Sequence, residues 1–116
     1  MNELARPMPK PTAQVAPYVE VLGAELAVTF LLTFGGSQIY LAADPGGRSA
    51  VERLVGHDRA KALGEDHRLQ MVHTVPLARK WLVLMLAWQG QSHAQIARSV
   101  RVATSTVRRY VKEAAK

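Results

Sequence analysis

The sequence predicts a mainly α-helical protein with one or two short β-strands, an N-terminal helical domain being followed by a C-terminal helix-turn-helix. Three observations predict it. Apolar residues recur at three- and four-residue steps over most of the chain, which is the period of a helix face. Two short stretches with looser alternation interrupt that pattern, one after paired glycines and one before a proline. Positive charge gathers at one end: residues 1–75 carry seven Lys/Arg against eight Asp/Glu, whereas residues 76–116 carry eight Lys/Arg against Glu113 alone.

At 116 residues the chain has room for one domain or two very small ones. It contains no cysteine, which excludes a disulfide framework and a thiolate metal site and fits a reducing cytoplasm. The N-terminus is polar and rich in proline, so no signal peptide is expected. The longest apolar runs, residues 26–32 and 81–88, fall far short of the ~20 residues a membrane helix needs. A soluble, cytoplasmic protein with no membrane partner is expected.

Residues 1–17 hold four of the six prolines and few large apolar side chains, and are predicted to form a flexible tail. From Tyr18 the composition changes. Val19, Leu22, Leu26, Phe30 and Phe34 define one helix face, with Gly23 as the point where the helix can break. Gly35-Gly36 should stop that helix, since glycine reaches positive φ without penalty. Residues 37–42 read as a short strand and residues 44–47, Asp-Pro-Gly-Gly, as a turn. Two short helices are expected at residues 49–54 and 57–63, separated by Gly56. Residues 69–75 form a second strand, ended by Pro76. A faint repeat at an offset of 33 relates Leu22-Gly23 to Val55-Gly56, Ala27 to Ala60, Phe30 to Leu63 and Ile39 to Val72. Residues 76–89 then form an apolar helix with Pro76 near its first turn, stopped by Gly90. Helices at residues 92–100 and 104–115 complete the chain.

Residues 92–112 carry the most information. Ser92 and Gln95 make a capping box, in which the hydroxyl accepts from the Gln95 N–H and the Gln95 side chain reaches back. Ile96, Ala97 and Val100 give the first helix an inward face, with Ala97 small where the next helix must approach. Val102 plugs the turn, and Val107, Tyr110 and Val111 face inward from the second helix. This spacing suits two helices crossing steeply around a three-residue turn. Two positions depart from the common pattern: Arg101 stands where glycine is usual in the turn, and Ala103 where a capping Ser or Thr is commoner.

The outward side of the second helix bears Thr104, Ser105, Thr106, Arg108, Arg109 and Lys112. Short hydroxyls at a helix start favour phosphate oxygens, and arginine can chelate guanine in the major groove of double-stranded DNA. Thr104, Ser105 and Arg108 are expected to read bases. Thr106, Arg109, Lys112 and His93 or Gln95 are expected to contact phosphates. No catalytic group, cofactor site or metal site is expected. His57, His67, His73 and His93 lack metal-ligand spacing, Asp58, Glu65 and Asp66 form no acid–base pair, and Gly46-Gly47-Arg48 is too short for a phosphate loop. The protein is therefore not expected to be an enzyme. Residues 18–75 would make a thin core alone and offer two strands without obvious partners, which a symmetric homodimer would relieve. The alternative is a monomer whose two strands pair with each other. The domain reading is thus a tail at 1–17, a dimerisation domain with strand linker at 18–75, and a helix-turn-helix domain at 76–116.

From about Val21 to Lys112 the chain resembles the Mor/C family of bacteriophage transcription activators. The likeness lies in an apolar helix ending in Phe34-Gly35-Gly36, a strand with Ile39-Tyr40-Leu41, the segment Leu54-Val55-Gly56, a strand ending in Val75-Pro76, and the terminal helix-turn-helix. The resemblance implies a homodimer that binds an imperfect dyad at a phage or prophage promoter and recruits RNA polymerase of the bacterial host cell. In that family paired glycines precede the linker strand, which contributes to DNA binding; here the residues before it are His67-Arg68. Two other readings stay open: a DNA-targeting accessory protein of a transposition or recombination system, and a protein-interaction adaptor that does not bind DNA.

Overall fold

The computed structural model describes residues 7–41, 46, 49–69 and 72–115. The turn expected at residues 44–47 lies outside the described residues except for Gly46, as do residues 47 and 48, residues 1–6 of the expected tail and residues 70 and 71 of the second strand. The chain forms two compact units, one of Pro11–Leu77 and one of Ala78–Lys116 with the stretch that ends at Lys10.

The first unit is two turns of the same pattern. Helix α1 (Ala16–Leu22) carries Pro17 in its first turn, where its missing N–H costs least. It ends at Gly23, whose φ of 83° and ψ of 157° also start α2 (Ala24–Phe34). Tyr18 stacks on Phe30 at 5.2 Å between ring centroids, and Phe30 meets Phe34 at 5.0 Å. The two glycines after α2 do different jobs. Gly36 takes the positive φ of 83°, whereas Gly35 (φ −52°) is needed for close approach, because a Cβ there would stand 2.6 Å from the Leu31 carbonyl oxygen. Strand β1 (Gln38–Tyr40) follows. Helix α3 (Ala50–Val55) is capped by Ser49, which accepts from the Glu52 N–H at 3.0 Å. Gly56 (φ 90°, ψ 165°) turns the chain into α4 (His57–Glu65), and strand β2 (Val72–Thr74) closes the unit.

The strands are not partnerless, which corrects one ground for expecting a second copy. They form an antiparallel pair with Gln38 opposite Thr74, Ile39 opposite His73 and Tyr40 opposite Val72. The Val75 N–H donates to the Ser37 carbonyl at 2.9 Å, and the Gly36 N–H donates to the Val75 carbonyl at 2.8 Å, extending the ladder.

The faint repeat is built into this unit. Gly23 and Gly56 share nearly the same backbone conformation, each joining a short helix to a longer one. Leu22 and Val55, Ala27 and Ala60, and Phe30 and Leu63 are all buried at equivalent places. Helix α1 packs on α4 and α2 on α3, which are the same contact with the two copies exchanged. The strand register agrees. Shifting Ile39 by 33 gives Val72, the partner of Tyr40, and shifting Tyr40 by 33 gives His73, the partner of Ile39. A local two-fold therefore passes between positions 39 and 40.

The proline-rich start is more ordered than its composition predicts. Val15 and Pro17 are buried, and Trp81 Nε1 donates to the Pro9 carbonyl at 3.3 Å. Prolines at a helix start and beside an aromatic ring bury surface that a count of large apolar residues overlooks.

The second unit is a three-helix arrangement in which each helix packs on the other two. Helix α5 (Arg79–Trp88) starts three residues later than expected. Hydrogen bonds to Ser37 and Gly36 hold Val75 beside the strand pair, Pro76 favours an extended residue before it, and Ala78 is left-handed at φ 52°. Helix α6 (His93–Val100) and α7 (Thr104–Ala114) follow. Trp81, Leu82, Val83, Met85 and Leu86 of α5 are buried, as are Ile96, Val100 and Val107.

Candidate nucleic-acid interface

The α6–α7 corner is made by local signals. Gln95 N–H donates to Ser92 Oγ at 3.2 Å and Ser92 N–H donates to Gln95 Oε1 at 3.0 Å, so both arms of the capping box are closed. Arg101 takes the left-handed conformation (φ 62°, ψ 51°) that ends α6, and the Val102 N–H donates back to the Ala97 carbonyl at 3.1 Å. A non-glycine residue there costs roughly 1–2 kcal/mol, which the closed capping box and the burial of Ile96, Val100 and Val107 offset.

Helix α7 then shows two sides. Val107 is fully buried, with Tyr110 and Val111 half-buried one turn on. Opposite them, Ser105, Arg108, Arg109 and Lys112 are all exposed and stand at three- and four-residue steps, so they form one stripe. Thr104 is exposed on the flank of Arg108. Thr106 is half-buried, nearer the Tyr110 side, and is less open to a long groove than its neighbours. Among the described residues no side chain caps α7, so the Thr104 and Ser105 N–H groups are left to an external acceptor. His93 is exposed at the first position of α6, but the carboxamide oxygen of Gln95 is committed to the cap, leaving only its NH2 to donate.

A cluster absent from the expected set borders the stripe. Lys80 of α5 lies with its Nζ 5.9 Å from the Tyr110 ring centroid, and Arg109 Cζ lies 5.4 Å from the same ring. Glu113 reaches both cations, at 3.4 Å from Lys80 Nζ and 3.9 Å from Arg109 Nε. The four-residue spacing of Arg109 and Glu113 was readable; the arrival of Lys80 from another helix was not.

Four acidic and histidine residues of the first unit, Glu20, Glu52, His57 and Asp66, have partners of their own. His57 Nδ1 is 2.9 Å from Glu52 Oε2 across the Gly56 corner. Arg68 donates to Asp66 at 2.7 Å and to Glu20 of α1 at 3.0 Å. The hydrogen bonds from Arg68 hold the Asp66 carboxyl at about 2 and raise the Arg68 guanidinium in turn. Arg68, ahead of β2, is thus bound to two carboxylates.

Residues 74–115, a little over a third of the chain, match the family model of a homeodomain-like domain. That is a helix-turn-helix DNA-binding fold, and it agrees with the Mor/C likeness at the level of the helix-turn-helix alone. No curated protein and no solved structure shows significant similarity to the chain. Among the described residues no helix is long and apolar enough to cross a membrane.

Proposed function

We propose that the chain is a sequence-specific regulator of transcription that binds double-stranded DNA through α7. The observation that carries this reading is the exposed stripe of Ser105, Arg108, Arg109 and Lys112 on the second helix of a helix-turn-helix. A helix of this width fits the major groove, where hydroxyls and guanidinium groups meet base edges and phosphates. Ser105 and Arg108, with Thr104 at their flank, are the base-reading side chains. Arg109, Lys112 and His93 hold phosphates, with Thr106 and the Gln95 NH2 as lesser contacts.

The finer reading is an activator of phage or prophage promoters that acts in the bacterial cytoplasm and recruits host RNA polymerase. It rests on the Mor/C likeness. So does the homodimer, now that β1 and β2 complete each other within one chain. The runner-up is an accessory protein that brings a recombination or transposition enzyme to DNA, and it uses the same stripe.

Selection of bound duplexes from a random pool, followed by sedimentation of the protein alone and with its selected site, tests the DNA binding and the homodimer. Dyad-symmetric sites bound by two chains support the homodimeric regulator. One unsymmetrical site per chain keeps the DNA-binding reading and removes the dimer. Enrichment of no sequence, with no retarded duplex at low salt, rejects DNA binding and leaves a protein-interaction adaptor.

A further inference from the structure

Glu113 is the one carboxylate among residues 76–116, set among eight cations. As a stabiliser of its own helix it is badly placed. It is the penultimate residue of α7, where the helix dipole disfavours negative charge. Its partner Arg109 precedes it by four residues, the weaker orientation for such a pair. Both partners are exposed, and exposed ion pairs contribute little to folding. What Glu113 does accomplish is electrostatic. It pairs with both Lys80 and Arg109 beside the Tyr110 ring and offsets one of their two charges, at the edge of the stripe that faces a duplex.

We infer that Glu113 is an electrostatic brake on DNA binding: it holds Lys80 and Arg109 in one cluster, offsets one of their two positive charges and thereby limits charge-driven attachment to DNA of any sequence. The inference rests on the DNA-binding reading above. Non-specific affinity comes almost wholly from phosphate neutralisation, so one more net positive charge at the interface edge would act first on it. A phosphate that reaches Arg109 must also approach the Glu113 carboxylate, one helical turn along the same edge. Lys80, brought from α5, adds a second positive charge beside Arg109 of α7.

The test uses the full chain and a random-sequence duplex pool, with binding followed by fluorescence anisotropy over a salt series. E113Q should bind the pool about threefold to fivefold more tightly at low salt, with a salt slope steeper by about one. E113D, which keeps the charge, should stay close to wild type. Adding K80Q to E113Q should return most of the gain. A purely structural role for the pair would instead weaken binding, since loss of the pair would fray the end of α7. Unchanged or weaker binding by E113Q with an unchanged slope overturns the brake, and so does a gain that K80Q leaves intact. If the wild-type chain retards no duplex at all, the DNA-binding reading falls and the brake with it. If wild type binds and E113Q does not exceed it, only the brake falls.

Discussion

The two units answer the same difficulty, a core too small to be secure, in opposite ways. The first doubles itself: one helix–glycine–helix–strand pattern occurs twice and the copies close on each other about a local two-fold. The second uses one copy of three helices and packs each on both others. Their charges differ in the same sense. In the first unit Arg68 is held by Asp66 and Glu20, and His57 by Glu52. In the second, Arg108 and Lys112 are exposed without a carboxylate partner among the described residues. The first unit pairs these groups within its own fold, whereas the second, the Lys80–Glu113–Arg109 cluster apart, leaves Arg108 and Lys112 open to a partner.

The sharpest way to break this comparison is to unfold one unit and watch the other. Both tryptophans, Trp81 and Trp88, lie on α5, so their fluorescence reports the second unit alone. Phe30 is fully buried in the first, and Phe30→Ala should cost that unit about 3–5 kcal/mol. Far-UV circular dichroism should then show an early transition in denaturant while the tryptophan transition stays in place. Coincident shifts would mean that the units unfold as one.

DNA binding should divide along the same line. Arg108→Ala is expected to lose about 1–3 kcal/mol on a selected duplex and to relax one base position, whereas substitution of the exposed Lys61 of α4, Lys61→Ala, should change neither. Equal loss on selected and random duplexes would instead make Arg108 a phosphate contact.

The duplication has its own test. A Cβ at Gly23 or Gly56 would meet no atom within 4 Å, so substitution there is opposed by backbone conformation alone. Gly23→Ala and Gly56→Ala should each lower the stability of the first unit by about 1–3 kcal/mol, and by similar amounts because the positions are equivalent. Thermal melts giving one large and one negligible loss would show that the likeness of the two corners is superficial.

The smallest effect expected is that of acid. Asp66 titrates lower folded, at about 2, than unfolded, at about 4. Its contribution is therefore complete above about pH 4 and disappears as pH falls toward about 2. Melts followed by circular dichroism should show that loss in wild type and a reduced one in Asp66→Asn, with the tryptophan signal less affected.

Much of the second unit was legible because its signals are short-range. Ser92 and Gln95 lie three residues apart, and the inward valines and outward cations of α7 follow a single helical period, so no distant contact was needed to place them. The left-handed turn at Arg101 was also foreseeable from its position. The start of α5 was not, because hydrogen bonds to Ser37 and Gly36 hold Val75 beside the strand pair ahead of it. Nor was the order in the proline-rich start, which depends on Trp81 seventy-two residues away.

What the residues determined unaided were the breaks, caps and faces: Gly23, Gly56 and Ser92 act on atoms within four positions of themselves, and a local rule suffices to read them. Which surfaces meet was decided only when the chain closed. The pairing of β1 with β2, the exchange-related packing of α1 on α4 and α2 on α3, and the convergence of Lys80 with Tyr110 and Glu113 each join groups from separate elements of the chain. Such contacts depend on the three-dimensional path of the backbone, which no periodicity within a single element encodes.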